Sequence, residues 1–445
     1  MKQVASGLIF WAMLLSNTSV MTGCTQKESS MGSTTDAYLN DAANSDALMN
    51  PDSRIDLGGA DASISAPIAI DNPTELRGPD IEGVVIQPAL AEHPESGLWL
   101  AFTYMADVGG GIFLQRYSND GERIGDAQNI ATNDGVLHNE PAICALSNGG
   151  VAVVWSVDAQ SEPDGTLQIR HRVIGADGQP MTDSDAIVET DMPGKHWLGS
   201  VACDDAGHYL IVGVRTQSND SFGVFAQLYQ GDQRALNEGY AINDDEPGNQ
   251  AYPVASFFKN RDREGWVVAY EDSQIEPAES KTIFARFLDA SGSPSSEKFQ
   301  VSASGVKVSH PHVTPRNTDS SEILISATLN NDTIALFYID AETEEVQTRL
   351  VTDRNANYQV SAVAFGDDEW MTFIRRVGDT TQALISRFNV ATGDQELHSI
   401  LEGSIPPYQT AIAAGVDHLT TVFTERLDTH SFSLRVHRFE ATTGE

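Results

Sequence analysis

The sequence predicts an all-β fold, a seven-bladed β-propeller of four-stranded antiparallel blades closed by an N-terminal strand that pairs into the last blade. Three observations lead to this prediction. A hairpin pattern recurs seven times along the chain, each unit contains short runs typical of strands, and the last unit ends before its fourth run.

The hairpin is clearest in "IFLQRYSNDGER" from Ile112 and in "IFARFLDASGSP" from Ile283, where an apolar run leads to a basic residue, an aromatic residue and a turn. The aromatic or large apolar position recurs every 50 to 59 residues. A period near fifty indicates a propeller or a solenoid. The Asp-Gly and Ser-Gly pairs in the turns accept the positive φ that tight turns require. The recurring positions are Tyr117, Val173, Leu228, Phe287, Tyr338, Phe388 and Phe439.

Each unit repeats the same internal order. An opening strand such as "PAICALS" from Pro141 precedes a more apolar strand such as "GVAVVWS" from Gly150, then the hairpin strand, then a short fourth strand such as "AIVET" from Ala186. Alternation and β-branched or aromatic residues favour strands, and no stretch sustains a helical period. Four antiparallel strands repeated seven times are typical of a seven-bladed propeller.

The ends of the repeat region favour a closed ring over an open stack. The seventh unit ends at Glu445 just after its third strand, and "SISAPIAID" (Ser63 to Asp71) resembles a fourth strand without a unit of its own. Pairing the two would remove two exposed sheet edges. The region from Ser63 to Glu445 resembles bacterial secreted β-propeller proteins with degenerate "QRY…DG" repeats, and we assign residues 63–445 to the propeller.

The amino terminus predicts export. Lys2 precedes an apolar run from Gly7 to Leu15 that is too short to span a bilayer as a helix. "VMTGC" then resembles the lipobox of bacterial lipoproteins. This resemblance implies a signal peptide over residues 1–23, cleavage before Cys24 and acylation of Cys24, palmitate included, as a membrane anchor. The alternative is an ordinary signal peptide that is cut elsewhere.

Composition bounds the partners and the location. Residues 24–62 are rich in Ser, Asn, Asp and Gly and carry one aromatic residue, so we predict a lipidated cysteine followed by a disordered acidic tether. The formal net charge of −36 argues against nucleic acid and favours cations, basic partners or simple solubility. We expect a bacterial cell-envelope protein that is anchored through its lipid and exported to the periplasm or the cell surface.

Two cysteines remain after Cys24. Cys144 and Cys203 fall at nearly equivalent positions in the first strands of adjacent units, and first strands surround a propeller axis. An even remainder in an exported protein suggests a disulfide. The alternative is a pair of buried free thiols.

A ligand site is predicted at the mouth of the central channel. The residue before the proline, or its equivalent, in the first strand can form hydrogen bonds in six of seven units, and it is leucine in the remaining unit, at Leu198. Amides, imidazoles and aromatic rings around a hole suit a sugar or a peptide. Alternatively, they solvate the rim and satisfy neighbouring backbone groups. The predicted ligand-binding residues are Gln87, His138, Glu140, His196, Trp197, Tyr252, His310, Gln359 and Gln409.

No cofactor is predicted, although calcium suits a ring of acidic loops. The chain has no "GxSxG", "HExxH", Walker or "DxDxDG" motif, so no catalytic residue is assigned. Each loop between second and third strands carries an aspartate that such a ring would use: Asp107, Asp158, Asp164, Asp220, Asp272, Asp332, Asp379 and Asp428.

Three functions remain open. The first is a non-enzymatic, lipid-anchored binding module that recognises a protein partner, a glycan or a peptide through the channel mouth. The second is an envelope enzyme, a glycan hydrolase or lyase, that uses His138, Glu140, His196 and His310. The third is a scaffold subunit of an envelope complex. An enzyme requires an acid or base with a shifted pKa in the pocket.

Overall fold

The computed structural model describes residues 74–440 except 80, 82, 106–109, 133, 160–165, 189–191, 193, 218–220, 232–233, 244–247, 274–280, 305, 317–320, 331–332, 352–356, 378–379, 404–408 and 428–431. These residues belong to one compact unit, Ile64–Glu445. The signal segment, Cys24, the tether and the predicted closing strand from Ser63 to Asp71 lie outside the described residues. In the described part of the chain, no helix is long and apolar enough to cross a membrane.

Among the described residues the regular elements are β-strands, as predicted. In chain order they are β1 (Thr74–Leu76), β2 (Val84–His93), β3 (Gly97–Met105), β4 (Gly110–Tyr117), β5 (Arg123–Asn129), β6 (Leu137–Ala145), β7 (Val151–Ala159), β8 (Thr166–Ile174), β9 (Ala186–Ile187), β10 (His196–Cys203), β11 (His208–Thr216), β12 (Phe222–Gln230), β13 (Arg234–Ala235), β14 (Tyr240–Ala241), β15 (Asn249–Lys259), β16 (Glu264–Ser273), β17 (Lys281–Asp289), β18 (Phe299–Gln300), β19 (Val308–Pro315), β20 (Glu322–Leu329), β21 (Thr333–Asp340), β22 (Val346–Val351), β23 (Asn357–Phe365), β24 (Asp368–Val377), β25 (Thr380–Asn389), β26 (Gln395–Gly403), β27 (Thr410–Ala414), β28 (His418–Arg426) and β29 (Phe432–Glu440).

The strands form four-stranded antiparallel blades in a propeller arrangement, which confirms the predicted class of fold. Five sheets have four strands each: β2–β5, β6–β9, β19–β22, β23–β26, and β1 with β27–β29. Strands β10 to β18 form a single nine-stranded sheet. The prediction of seven separate four-stranded sheets is therefore wrong at this sheet.

The nine-stranded sheet has a local cause. Its two antiparallel groups, β10–β14 and β15–β18, are joined by one parallel pair, Phe222 with Asn249. The fourth strand of the first group is broken into two short strands, and β14 covers β12 only at Phe225 and Ala226. The edge of β12 at Phe222 is therefore left for Asn249 to pair with.

The first and last described strands meet. β1 pairs with β29, with Thr74 opposite Arg438 and Leu76 opposite Val436. The predicted partner of the last unit began eleven residues earlier, and its residues are not among those described. First strands of successive units contact one another along the chain, and β27 contacts β2.

The core lies between neighbouring sheets. A central strand such as β3 is buried on both faces, which explains its nearly continuous apolar sequence, whereas the outer strand β5 is mostly exposed. The apolar residues of adjacent sheets pack together; Trp99 of β3 and Trp155 of β7, for example, belong to one cluster. Burial between sheets therefore holds the units side by side.

The recurring hairpin has two structural roles. Its basic residue links units, because Arg172 donates a hydrogen bond to the carbonyl of Ile130 (2.8 Å) and Arg286 donates one to that of Ile242 (2.9 Å). Its turn glycines have positive φ, as predicted. They are Gly121, Gly178, Gly292 and Gly393, with φ between 78° and 86°.

Candidate functional site

A β-bulge interrupts the first strand of each unit from β2 to β23. In β2 the pairing passes from Ile86 opposite Thr103 to Ala89 opposite Ala101, so one residue is extra. At five of these bulges the first inserted residue is not glycine and has a left-handed backbone, with φ between 50° and 55°. These residues are Gln87, Glu140, Leu198, Tyr252 and His310. The bulge thus lies at the residue before the proline, or its equivalent, in each first strand, which is the position from which the ligand site was predicted.

A bulge removes a backbone N–H from the strand ladder, and here a side chain of the preceding unit accepts it. The Gln87 amide N–H donates to Gln409 Oε1 (2.5 Å), and the Glu140 amide donates to Gln87 Oε1 (2.9 Å). The Leu198 amide donates to Ser156 Oγ (3.0 Å). Backbone satisfaction was the structural alternative for these positions, and it accounts for Gln87 and Gln409.

The first strands enclose a cavity of about 810 Å³, which we call the channel. Five of the nine predicted ligand-binding residues line it: Gln87, Glu140, Tyr252, His310 and Gln409. Leu198, the apolar member of the same alignment, lines it too. The side chain of Gln359 lies outside the described residues.

Three predicted residues do not line the channel, which corrects their assignment. His138 is buried beside Trp155, whose indole N–H donates to His138 Nδ1 (2.9 Å), and His138 Nε2 lies 3.0 Å from Asp134 Oδ1. His138 precedes the bulge, where side chains still follow the regular alternation of the strand and pack within the blade. It therefore has a structural role in the core.

His196 and Trp197 pack against β12 of their own sheet. The His196 ring lies edge-on to Phe225 (5.1 Å between centroids), and the Trp197 ring lies edge-on to Phe222 (4.8 Å). Burial, together with the charge of Arg215, lowers the pKa of His196. Both residues precede the bulge at Leu198, so they share the structural explanation of His138.

Glu140 is the ionisable bulge residue with the most distinctive environment. Its carboxylate Oε2 accepts a hydrogen bond from Ser156 Oγ (3.3 Å). Burial raises the pKa of Glu140 to about 7, and the Ser156 hydrogen bond opposes this shift only in part. At neutral pH this carboxyl can therefore both accept and release a proton.

Tyr252 and His310 are adjacent in the channel, with 5.0 Å between their ring centroids. Burial raises the pKa of Tyr252 to about 12, and the charges of Glu271 and Glu140 add to the shift. Burial lowers the pKa of His310. The negative charge of Glu271 opposes this shift, and the positive charge of Lys281 adds to it. Both groups are therefore neutral at pH 7.

An ion pair supports these two rings. Glu271 is buried, with Oε2 2.7 Å from Lys281 Nζ, and its Oε1 accepts the backbone N–H of His310 (2.7 Å). Lys281 Nζ also lies 5.6 Å from the centre of the Tyr252 ring. Glu271 thus stabilises the bulge at His310, which belongs to the next unit, and it neutralises Lys281 beside the channel.

Sequence reasoning missed Ser156, Glu271 and Lys281. Ser156 and Glu271 occupy equivalent positions, each opposite the residue that precedes a bulge. Each is the polar end of an apolar second strand, in "GVAVVWS" and "GWVVAYE". That recurring polar residue is the signal that could have identified Ser156 and Glu271.

The acidic loops give no metal site in the described residues. No group of three or more His, Cys, Asp or Glu side chains there could hold a metal ion. Of the aspartates predicted to form a ring, Asp158 and Asp272 are described, and Asp272 is buried and accepts a hydrogen bond from Gln250 (3.1 Å). The others lie outside the described residues: Asp107, Asp164, Asp220, Asp332, Asp379 and Asp428.

Cys144 and Cys203 form a disulfide that joins β6 to β10, and both residues line the channel. At the end of the channel away from the bulges, Glu92 lies 3.1 Å from His418 Nε2, and Lys259 Nζ lies 3.9 Å from Asp205. The carboxylates at that end therefore have basic partners.

Comparison with known proteins supports the fold. No protein-family model and no curated protein matches the chain. Among solved structures, the chain is similar to an ulvan lyase described as a new family of polysaccharide lyase (TM-score 0.52, 9% identity, 81% of this chain and 95% of that one). The same enzyme bound to -[GlcA(1-4)Rha3S]- matches with a TM-score of 0.51, 9% identity and the same coverage.

A phage phi92 endosialidase also matches, with a TM-score of 0.49 and 10% identity over 84% of this chain and 70% of that one. The similarity to the ulvan lyase structures supports the shared fold, and an identity of 9% leaves the activity of this chain undetermined. The fold and the site together define the chain as a β-propeller with a central channel that Glu140, Tyr252 and His310 line.

Proposed function

We propose that the channel binds a glycan. The observation that carries this proposal is the convergence of Glu140, Tyr252 and His310 on one cavity of about 810 Å³. Sugars offer many hydroxyl groups, which suit carboxylate, imidazole and phenol partners, and cavities of ~300–1,000 Å³ are typical of ligand sites. The ulvan lyase supports the choice of ligand only as a protein of shared architecture that acts on a polysaccharide.

Binding is tested with the full-length protein on an array of oligosaccharides, followed by calorimetry on any that bind. Tyr252→Ala should weaken binding about tenfold or more, because the ring supplies contact area on the channel wall. Asp205→Asn, at the opposite end of the same cavity, is the matched control and should change affinity less than about twofold. Equal losses in the two variants would contradict a site at the bulge end.

Glu140 also favours a second function, glycan cleavage. A carboxyl group with a pKa of about 7 is suited to general acid or base catalysis at neutral pH. We propose Glu140 as the proton-transferring group of a glycan hydrolase or lyase. In assays for new reducing ends and unsaturated products, Glu140→Ala should abolish product formation while it retains binding of neutral oligosaccharides, and Asp205→Asn should remain active.

We further propose seven blades in a closed ring. In support, the nine-stranded sheet contains two antiparallel groups linked by one pair, β1 pairs with β29, and β27 contacts β2. Deleting residues 63–76 should lower the thermal unfolding midpoint of the propeller, because the last blade would lose its outer strand. An unchanged midpoint would contradict closure by this segment.

We also propose that the protein is a lipoprotein of the bacterial cell envelope. The resemblance of "VMTGC" to a lipobox supports this, and the disulfide between Cys144 and Cys203 is in keeping with an oxidising compartment. Cys24→Ser should move the protein from the membrane fraction to the soluble fraction.

A further inference from the structure

The carboxylates that line the channel differ in their partners. Glu92 lies 3.1 Å from His418, and Asp205 lies 3.9 Å from Lys259. Glu140 has no basic partner among the described residues, and its hydrogen bond comes from the neutral hydroxyl of Ser156 at 3.3 Å. The channel therefore contains one carboxylate whose charge the described protein leaves uncompensated.

A carboxylate in such a place is unfavourable unless a ligand compensates it. Enclosure disfavours the ionised form, which is why the pKa of Glu140 is raised to about 7. A cationic group placed against it would favour ionisation and form a charge-assisted hydrogen bond. The site is thus prepared for a cation rather than for a neutral group.

The rest of the lining is poorly suited to an anion. In the described lining there is no arginine, and the single lysine, Lys259, is already close to Asp205 and Glu264. Near the bulge end, Lys281 is neutralised by Glu271. The whole chain carries a formal net charge of −36, which attracts cations and repels acidic sugars at long range.

Aromatic rings complete the environment. Tyr252 is close enough to Glu140 for the carboxylate charge to affect its pKa, and its ring lies 5.0 Å from His310. Lys281 Nζ lies 5.6 Å from the Tyr252 ring, within the range of cation–π attraction. The bulge end of the channel therefore combines one uncompensated carboxylate with the edge or face of two rings.

We propose that the channel ligand is a cationic glycan, an amino-sugar oligosaccharide whose free ammonium group binds the Glu140 carboxylate. This rests on the proposed glycan-binding function and names its substrate class. It also separates this chain from its architectural relative, the ulvan lyase bound to a glycan that contains glucuronic acid.

The test uses the full-length protein and three tetrasaccharides of matched length at pH 7: a glucosamine tetramer, its N-acetylated neutral form and a galacturonate tetramer. We expect the glucosamine tetramer to bind about tenfold more tightly than the neutral form. Glu140→Gln should weaken glucosamine binding about tenfold and change neutral binding by less than about twofold. Asp205→Asn is the matched acid-to-amide control and should leave all affinities unchanged.

The outcomes separate the two proposals. Equal affinity for the cationic and neutral tetramers, tightest binding of galacturonate, or equal effects of Glu140→Gln and Asp205→Asn would overturn the cationic ligand and leave glycan binding in place. Failure of these tetramers and of the oligosaccharide array to bind would overturn the glycan function itself.

Discussion

Glu140 and Glu271 are two carboxylates beside the same part of the channel, and both act on Tyr252. Glu271 is buried in the second strand of its unit, where it holds Lys281 at 2.7 Å and the His310 amide at 2.7 Å. Glu140 has a hydroxyl partner at 3.3 Å and a raised pKa. The comparison teaches that a compensated carboxylate is costly to remove because its partners would be left unpaired, whereas an uncompensated one costs stability and remains available to a ligand.

The largest effect should come from Glu271→Ala. The substitution leaves Lys281 without its partner and the His310 amide without its acceptor, so we expect the free energy of unfolding to fall by about 3 kcal/mol. Denaturant unfolding at pH 7 measures the change.

Glu271→Gln is the control that separates the two losses. The amide oxygen can still accept from the His310 N–H but cannot neutralise Lys281. Its cost should therefore be smaller than that of alanine. If alanine and glutamine were both harmless, the structural role assigned to Glu271 would be wrong.

At alkaline pH, Glu140→Gln should increase the free energy of unfolding, which is opposite to the effect of Glu271→Ala. Because the folded-state pKa of about 7 exceeds the ordinary value of 4.5, the folded protein binds more protons than the unfolded chain within this window. The stability of the wild type should therefore fall relative to that of the variant as pH rises from 5 to 8. We expect a difference of about 2 kcal/mol, because water in the cavity reduces the full effect of the pKa shift.

The difference between the two unfolding curves isolates Glu140 from the other titrating groups. Glu369, whose pKa burial also raises to about 7, is present in both proteins and cancels. Parallel pH profiles would contradict a raised pKa of Glu140 in the folded protein.

Sequence patterns predicted the strands and the bulge position because both follow local rules. A fifty-residue period and alternating residues identify blades, and the entry to each first strand selected Gln87, Glu140, Tyr252 and His310 without knowledge of the bulge. The failure at the nine-stranded sheet was also local, because the single pair between Phe222 and Asn249 depends on how β14 ends.

The functional difference between acidic residues could not be predicted in the same way. The chain has 63 acidic residues, so their spacing alone does not indicate a function. Only the fold brings Lys281 to Glu271 and leaves Glu140 with Ser156. His138 misled the sequence argument because a bulge changes which side chains reach the channel. Of two residues that lie near each other in sequence, one can therefore pack within the blade while the other lines the channel.

The smallest predicted effect is that of Ser156→Ala, because Ser156 both stabilises the backbone and contacts Glu140. Ser156 Oγ accepts the Leu198 amide N–H and donates to Glu140 Oε2. Ser156→Ala should therefore destabilise the fold by about 1 kcal/mol, because it leaves a backbone donor without its acceptor. It should also raise the pKa of Glu140 further, since the lost hydrogen bond favoured the ionised form.

The two consequences can be measured apart. Unfolding at pH 5, where Glu140 is protonated in the folded state, reports mainly the backbone loss. The midpoint of Glu140 titration, followed by carboxyl NMR, should move upward in Ser156→Ala and remain in place in a control, Ser321→Ala, whose hydroxyl donates to Asp340 Oδ2 (3.0 Å) instead. If the titration midpoint stayed fixed while stability fell, Ser156 would only satisfy the Leu198 amide, and burial would set the pKa of Glu140 without opposition from the Ser156 hydroxyl.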